Sequence, residues 1–228
     1  MELLKKEDKE YLKKEFGKIL RDGVKILLFT SKDENCKYCK DTEKLLKEVS
    51  ELSDRIELEI HDVEDKKARE MGIELAPTVI VTDSMEELGS GVRFTGIPSG
   101  YEFTALIKDI MYVSTKQLEI TDATIQELQN IRSRLKIEVY VTPACPYCPK
   151  AVMIAHQFAM VSDKIESEVI ESLEFPSLAD SWGVMGVPHT VIKNLDRGNV
   201  VQFVGAYPEN YVLDFVRDAD EGKEVEMK

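Results

Sequence analysis

The sequence has no long apolar segment, and its basic residues are outnumbered by its acidic ones. The longest uninterrupted strongly apolar run covers only residues 26–29, whereas a membrane-spanning helix needs about 20 apolar residues. We therefore expect no membrane helix. The net charge of −13 makes nucleic acid a poor partner, because binding to a phosphate backbone needs clustered Lys and Arg.

The amino terminus also lacks the apolar stretch of a secretory signal. Residues 1–16 mix acids and bases at helical spacing, which predicts a cytoplasmic protein. In an intracellular chain of this size, four cysteines indicate catalysis or metal binding before a structural disulfide framework. The abundance of Lys and Glu relative to Gln and Asn resembles the composition of thermophile proteins, in which intracellular disulfides do occur.

Two Cys-x-x-Cys motifs divide the sequence into halves that repeat one another. Cys36-Lys37-Tyr38-Cys39 aligns with Cys145-Pro146-Tyr147-Cys148. Other landmarks align when the second half is shifted by the same number of residues as the cysteine motifs, to within two residues. These landmarks are Gly72, Pro77 and Gly96 in the first half and Gly183, Pro188 and Gly205 in the second. The repeat predicts two similar domains, residues 1–117 and 118–228.

Hydrophobic periodicity predicts the same order of helices and strands in both halves. The first half should have a helix over residues 8–21 and strands over 25–29, 56–60 and 78–82. The second should have a helix over about 122–134 and strands over 137–142, 167–170 and 189–193. Thr121 is a candidate N-cap, and Gly72 and Gly183 should each end a helix as the C′ residue. A further helix begins at each cysteine pair, and each half closes with a strand and a helix.

This order of elements, with a cysteine pair opening the first crossover helix and a proline opening the third strand, resembles the thioredoxin-like fold. The resemblance covers nearly the whole chain, twice, and Cys145-Pro146-Tyr147-Cys148 is similar to the glutaredoxin motif. Two fused units of this kind resemble the protein disulfide oxidoreductases of archaea and thermophilic bacteria. The implied fold class is α/β, with a central four-stranded mixed sheet flanked by helices in each unit.

The chemistry of disulfide exchange requires an attacking thiolate and a second thiol that resolves the mixed disulfide. A helix N-terminus favours the thiolate of the first cysteine, since free N–H groups and the positive end of the helix dipole face it. We therefore expect Cys36 and Cys145 to be the nucleophiles. Cys39 and Cys148 lie one turn further along and should be the resolving thiols.

Zinc binding is the alternative for a Cys-x-x-Cys motif. Structural zinc sites usually place their second cysteine pair about 12 to 20 residues after the first, whereas here the two pairs lie in different halves of the chain. A four-cysteine site would require the two helix starts to face each other. We therefore expect no bound metal.

The prolines carry a second expectation that comes from the resemblance. In proteins of this fold the matching proline is cis and lies beside the cysteine pair, and the residue before it offers its backbone to a client segment. The resemblance thus makes Ala76, Pro77, Val187 and Pro188 the substrate-binding residues. An ordinary trans proline at the start of a strand is the alternative.

Two further polar residues lie near the second motif. Glu138 is the nearest candidate for the buried carboxylate of thioredoxin, but a solvent-facing strand residue is the preferred interpretation. His189 follows Pro188 and either tunes the Cys145 thiolate or serves as a structural strand histidine, which we favour.

The sequence therefore predicts an enzyme, a dithiol–disulfide oxidoreductase that reduces, forms or isomerises disulfides in client proteins. Neither half contains a glycine-rich phosphate-binding loop, so no nucleotide or other organic cofactor is expected in the chain. The resemblance implies a thioredoxin-reductase-like flavoprotein as the electron-transfer partner. The alternative class is a non-enzymatic binding protein, either bridged by zinc or acting as a chaperone-like clamp.

Overall fold

The structure is a computed structural model that describes residues 3–34, 36–88 and 91–227. Contacts between Cα atoms divide the chain into two compact units. Unit 1 comprises Met1–Ile97 and Ile107–Gln117, and unit 2 comprises Pro98–Leu106 and Leu118–Lys228. Among the residues that the structure describes, no helix is both long enough and apolar enough to cross a membrane.

The first half of the chain alternates helices and strands in the predicted order. The elements are α1 (Lys6–Ile19), β1 (Val24–Thr30), α2 (Cys39–Ser50), β2 (Ile56–Asp62), α3 (Lys66–Glu70), β3 (Thr78–Asp83), β4 (Val92–Thr95) and α4 (Glu102–Thr115). The strands lie in the order β2-β1-β3-β4. β1 runs parallel to β2, and the other two pairings are antiparallel.

The second half repeats this arrangement and adds one strand. The elements are α5 (Asp122–Leu128), β5 (Leu135–Val141), α6 (Cys148–Val161), β6 (Ile165–Glu171), α7 (Pro176–Ser181), β7 (His189–Asn194), β8 (Val200–Val204), α8 (Glu209–Glu221) and β9 (Val225–Met227). Within unit 2 the order is β6-β5-β7-β8-β9. The predicted four-stranded mixed sheet is confirmed in both units, and β9 extends the second sheet by pairing parallel to β8.

One face of each sheet is covered by the short helix that precedes the proline. In unit 1, Leu27, Phe29 and Ile80 of the sheet form a buried cluster with Ala68 of α3. In unit 2, the matching cluster contains Tyr140, Ile170 and Val191 of the sheet and Ala179 of α7. These clusters hold α3 and α7 against the strands that carry the cysteine and proline motifs.

The glycines that end these helices have the expected conformation. Gly72 and Gly183 follow the C-caps of α3 and α7, with φ of 64° and 63°. These positive φ values are the left-handed conformation that glycine adopts without a steric penalty. The predicted C′ roles are therefore confirmed, and each glycine directs the chain toward the proline that opens the next strand.

The predicted helix over residues 122–134 is wrong in its end point, because α5 stops at Leu128. The N–H groups of Arg132 and Ser133 donate to Oδ1 of Asp220, across 3.2 and 2.7 Å. Backbone donors committed to a distant side chain do not continue the helical pattern. The predicted N-cap is confirmed, since Oγ1 of Thr121 accepts from the N–H of Thr124.

Candidate functional site

The first cysteine pair lies between β1 and α2. Cys36 sits in the turn that leads into α2, where its N–H donates to the carbonyl of Asp33, and it forms a disulfide with Cys39. Cys39 is the first residue of α2 and is only 2% exposed, whereas Cys36 is half-buried. The N–H of Ser31 donates to Sγ of Cys39 across 3.3 Å. The cysteine that we predicted to attack is therefore the more accessible of the two.

The second pair has the same position between β5 and α6. Cys145 donates its N–H to the carbonyl of Thr142 and forms a disulfide with Cys148, the first residue of α6. The N–H of Cys148 donates to Sγ of Cys145 across 3.1 Å. Both cysteines are buried in this oxidised state, with Cys145 6% exposed and Cys148 0% exposed.

A cis proline opens the third strand of each unit. The peptide bonds Ala76–Pro77 and Val187–Pro188 are cis, as the resemblance implies. In unit 2 the carbonyl oxygen of Val187 lies 3.7 Å from Sγ of Cys145. The backbone before this proline is therefore in contact with the sulfur of Cys145, the nucleophile that the sequence predicts.

The glycine that directly follows β4 or β8 donates a hydrogen bond to the proline carbonyl of its unit. Gly96 donates its N–H to the carbonyl of Pro77, and Gly205 donates to that of Pro188, both across 2.8 Å. Both glycines have positive φ, 108° and 112°. Both glycines recur in the sequence repeat, which does not reveal their role. The positive φ, which glycine adopts without a steric penalty, explains why glycine recurs at this place after the proline.

Each unit also contains a half-buried ion pair between its first two strands, which sequence reasoning missed. Lys25 Nζ lies 2.9 Å from Glu59 Oε1 in unit 1, and Lys136 Nζ lies 2.6 Å from Glu168 Oε2 in unit 2. The hydrogen bond from Lys25 lowers the pKa of Glu59 to about 2. The two lysines occupy equivalent positions in the two sheets. In each sheet, the residue that pairs with the lysine on the neighbouring strand lies two positions before the glutamate of the ion pair.

The preferred interpretation of Glu138 as a solvent-facing residue is wrong. Glu138 is 4% exposed and accepts hydrogen bonds from the Tyr140 hydroxyl at 3.0 Å and Lys193 Nζ at 2.5 Å. Burial raises the pKa of Tyr140, so this hydroxyl remains a donor. Glu138 is enclosed because α7 covers this face of the sheet, a tertiary effect that the strand sequence does not reveal.

His189 is a buried strand residue, as we favoured. Its Nε2 lies 3.2 Å from Oε1 of Gln202, and its ring contacts the Tyr140 ring edge-on, with centroids 6.4 Å apart. Burial lowers the pKa of His189. The imidazole is thus neutral near pH 7 and donates to Gln202.

The surroundings of the two pairs differ in polarity. Tyr147 lies within the second motif and is 70% exposed, and unit 2 also exposes Leu173 and Met185, which are 74% and 96% accessible. Around the first pair, Lys37 is exposed and its Nζ lies 5.1 Å from the centroid of the half-buried Tyr38 ring. The second motif therefore exposes its tyrosine ring, whereas the tyrosine of the first motif is half-buried beside a lysine.

Within residues 3–34, 36–88 and 91–227, no group of three or more His, Cys, Asp or Glu side chains is arranged to hold a metal ion. All four cysteine sulfurs take part in the two disulfides. The arrangement can undergo reversible disulfide exchange, because in each pair the two sulfurs close a short ring at the start of a helix.

Comparison with known proteins gives matches along both halves. A family model described as "Thioredoxin domain" matches residues 24–108 and 135–214. The crystal structure of a protein disulfide oxidoreductase from Aeropyrum pernix k1 superposes with a TM-score of 0.86 and 34% identity, covering 96% of this chain and 95% of that one. The alkylhydroperoxide reductase AhpF of Enterococcus faecalis (V583) shares the fold, with a TM-score of 0.82, 23% identity, and coverage of 93% and 99%.

Curated relatives include the F component of alkyl hydroperoxide reductase of Staphylococcus aureus (strain Mu50 / ATCC 700699), 25% identical over 186 residues. The match covers 82% of this chain and 33% of the relative, so the chain spans about a third of the length of the curated relatives it matches. The family model and the Aeropyrum structure each cover most of the chain and both of its cysteine pairs. The chain belongs to the thioredoxin-domain family, in the two-unit form of the Aeropyrum pernix protein disulfide oxidoreductase.

Proposed function

We propose that this chain exchanges disulfides with client proteins at its two Cys-x-x-Cys sites. It is a dithiol–disulfide oxidoreductase of the thioredoxin-domain family. The observation that carries the proposal is the repeated geometry: in both units a disulfide closes at the start of a helix and a cis proline opens the third strand. We assign the two functional units to residues 1–117 and 118–228.

Cys36 and Cys145 are the nucleophiles in this proposal. In the reduced protein, the thiolate of either residue attacks one sulfur of a client disulfide, forms a mixed disulfide and releases the other client sulfur as a thiolate. Cys39 or Cys148 then attacks the mixed disulfide and releases the second client thiolate. The client gains two electrons and two protons, and the protein is left with the internal disulfide.

The backbone before each cis proline binds the client in this scheme. Ala76 and Val187 offer their N–H and carbonyl groups to an extended client segment, while Pro77 and Pro188 orient that backbone. The 3.7 Å distance between Val187 O and Cys145 Sγ supports this assignment, because it puts the backbone before the cis proline in contact with the sulfur that would hold the client.

A separate reductase returns the chain to its dithiol state. Two curated relatives are named as an alkyl hydroperoxide reductase component and an NADH dehydrogenase, and this chain matches 33% and 27% of their lengths. These names support a reductase that takes electrons from a nicotinamide, and the family resemblance implies a thioredoxin-reductase-like flavoprotein. The cytoplasmic location stays a prediction from the charged amino-terminal sequence.

Trapping with serine variants tests the assigned roles. Cys39→Ser and Cys148→Ser keep the attacking sulfur and remove the resolving one, so each should accumulate a mixed disulfide with a disulfide-containing client protein. Non-reducing electrophoresis detects the adduct, and dithiothreitol should release it. Cys36→Ser and Cys145→Ser are the matched controls and should trap much less. Equal trapping by both members of a pair would contradict the roles.

Turnover separates a catalyst from a clamp that only binds. With dithiothreitol in excess, the wild-type chain should reduce many equivalents of a client disulfide, and a variant with all four cysteines changed to serine should reduce none above the uncatalysed rate. Binding of the client by that variant, combined with a wild-type protein that does not turn over, would favour the clamp.

A further inference from the structure

A cavity of about 370 Å³ lies in unit 2 between the end of α7 and strands β7, β8 and β9. We call it the α7 cleft. Its lining includes Trp182, Met185, His189, Gln202, Val204 and Met227. None of these residues takes part in the disulfide chemistry described above, and the cleft has no role in the proposed function.

We propose that the α7 cleft binds one large apolar side chain of a client polypeptide whose sulfur reacts with Cys145. The inference rests on the proposed function, because it places the cleft next to a client that is already engaged at the second site. The occupant is an aliphatic or aromatic side chain located a few residues from the reacting cysteine of the client.

The lining of the cleft favours an apolar occupant. Trp182, Met185, Val204 and Met227 contribute a ring, two thioethers and a branched side chain, and Met185 is 96% exposed. The thioether is flexible and polarisable, so methionine adapts to side chains of different shapes. A cavity of this size is large enough for any single side chain. When an apolar side chain covers these exposed apolar atoms, the free energy of the complex falls.

Two polar side chains of the cleft, His189 and Gln202, contact each other, whereas Nδ1 of His189 is buried without a hydrogen-bond partner among the described residues. His189 Nε2 lies 3.2 Å from Gln202 Oε1, and burial lowers the pKa of His189 so that the ring carries no charge near pH 7. Glu226 is an exposed carboxylate at the edge of the cleft. This carboxylate would repel an acidic side chain, which favours an uncharged occupant.

The cleft is within reach of a client bound to the second site. Gly186 lines the cleft and is bonded to Val187, whose carbonyl oxygen is 3.7 Å from Cys145 Sγ. An extended chain advances about 3.3 Å per residue. The cleft is thus lined by the residue next to the backbone that contacts Cys145, and side chains three to five residues from the client cysteine are the occupants to test.

Unit 1 has different residues at the equivalent positions. Met185 and Glu74 each lie three residues before the cis proline. Val204 pairs with the first residue of β7, and Thr95 pairs with the first residue of β3, so these two residues are also equivalent. A carboxylate and a hydroxyl thus replace a thioether and an isopropyl group. The two sites should therefore select different clients, with the apolar preference confined to Cys145.

Peptide reduction by the full chain tests the proposal. The enzyme carries Cys36→Ser and Cys39→Ser, so only the second site reacts. The substrates are peptides with one cysteine in a mixed disulfide with glutathione, in an otherwise Ser/Gly sequence, and a single Leu is moved through positions three to five on either side. Dithiothreitol regenerates the enzyme. We expect at least one Leu position to lower KM about tenfold relative to the peptide without Leu, with a much smaller change in kcat.

Two substitutions connect this gain to the cleft. Met185→Glu should reduce the KM ratio between the two peptides to about one, because it places a carboxylate at the cleft. Leu195→Glu is the matched control. Leu195 is also an exposed apolar residue of unit 2, but it follows the other end of β7, and its variant should keep the full ratio. An unchanged ratio in Met185→Glu, or no Leu position that lowers KM, would overturn the proposal.

Direct binding gives a readout that is independent of turnover. Trp182 is the single tryptophan of the chain and lines the cleft, so its fluorescence reports on the occupant. The best Leu peptide, with its cysteine replaced by serine, should change Trp182 emission saturably, and the all-Ser/Gly peptide should not. If no peptide is reduced but the Trp182 emission changes, the result supports binding in the cleft and the oxidoreductase assignment fails. If peptides are reduced but neither KM nor fluorescence responds to Leu, the cleft proposal alone fails.

Discussion

The N–H of Cys148 donates a hydrogen bond to Sγ of Cys145 across 3.1 Å. Cys148 is the first residue of α6, so this N–H is one of the donors at the helix start that have no carbonyl acceptor within the helix. After reduction, a donor at this place together with the positive end of the helix dipole favours the thiolate form of Cys145. In the proposed function, backbone groups therefore activate Cys145 as the nucleophile.

Alkylation of the reduced protein measures this activation. We expect Cys145 to react with iodoacetamide at a pH at least one unit below that needed for a free thiol, whose pKa is about 8.5. Cys148 is fully buried and should remain unmodified in the same pH range. Mass spectrometry of peptides from single-pair variants identifies the alkylated residue. Equal alkylation of both cysteines across that range would contradict the assigned roles.

The contact between Asp220 and the end of α5 gives a stability prediction. Asp220→Ala leaves the N–H groups of Arg132 and Ser133 without their acceptor, and Ser133 is 5% exposed. A buried N–H group without an acceptor costs about 1 to 3 kcal/mol, so urea unfolding should show a decrease of that size in the free energy of unfolding. Asp220→Asn keeps one acceptor oxygen and should lose less. Equal losses for the two variants would show that the carboxylate charge matters more than the hydrogen bonds.

The elements near the cysteine pairs were predictable because their signals are local. A glycine that ends a helix, a proline that opens a strand and a cysteine pair at a helix start each depend on a few adjacent residues. Repetition in the second half made each signal stronger, and Gly72 and Gly183 have the predicted conformation. Helix and strand order therefore followed from the sequence.

The misjudged features depend on contacts between distant residues. The early end of α5 depends on Asp220, which is 87 residues from Ser133. The burial of Glu138 depends on Lys193, 55 residues away, and on the helix that covers the strand. β9 has only three residues and exists as a strand through its pairing with β8. Local periodicity carries no information about such partners.

The ion pair of Lys25 and Glu59 predicts acid sensitivity. The pKa of Glu59 is about 2 in the folded protein, below its ordinary value of 4.5, mainly because Lys25 donates a hydrogen bond to it. A lowered carboxyl pKa contributes stability above pH 4.5, and this contribution is lost as the pH falls toward 2. Wild-type protein should therefore lose stability in this window.

The Glu59→Gln variant should lose less stability than wild type as the pH falls from about 4.5 toward 2, since it has no carboxylate to protonate at this position. Urea unfolding at about pH 5 and about pH 3 gives the two differences. Glu57→Gln is the control, because Glu57 is exposed on the same strand and should leave the wild-type loss unchanged. A loss in Glu59→Gln as large as in wild type would show that other carboxylates determine the acid response.

The carboxylate of Glu138 gives the last prediction. Glu138 is 4% exposed and accepts from the Tyr140 hydroxyl and from Lys193 Nζ. Glu138→Ala leaves a buried hydroxyl without its acceptor and a half-buried ammonium group without its counter-ion, which should lower stability by about 2 to 3 kcal/mol. Glu138→Gln keeps an acceptor for the hydroxyl and should lose less.

The exposed Glu224 supplies the control, and Glu224→Ala should unfold at the wild-type urea concentration. Lys193 Nζ lies 4.8 Å from the Trp182 ring centroid, so release of Lys193 from Glu138 should also alter Trp182 fluorescence in the folded protein. A change in stability with unaltered fluorescence would indicate that Lys193 stays in place and that the loss comes from the Tyr140 hydroxyl alone. Wild-type stability in Glu138→Ala would mean that water replaces the carboxylate, and the role of Glu138 as a structural acceptor would be wrong.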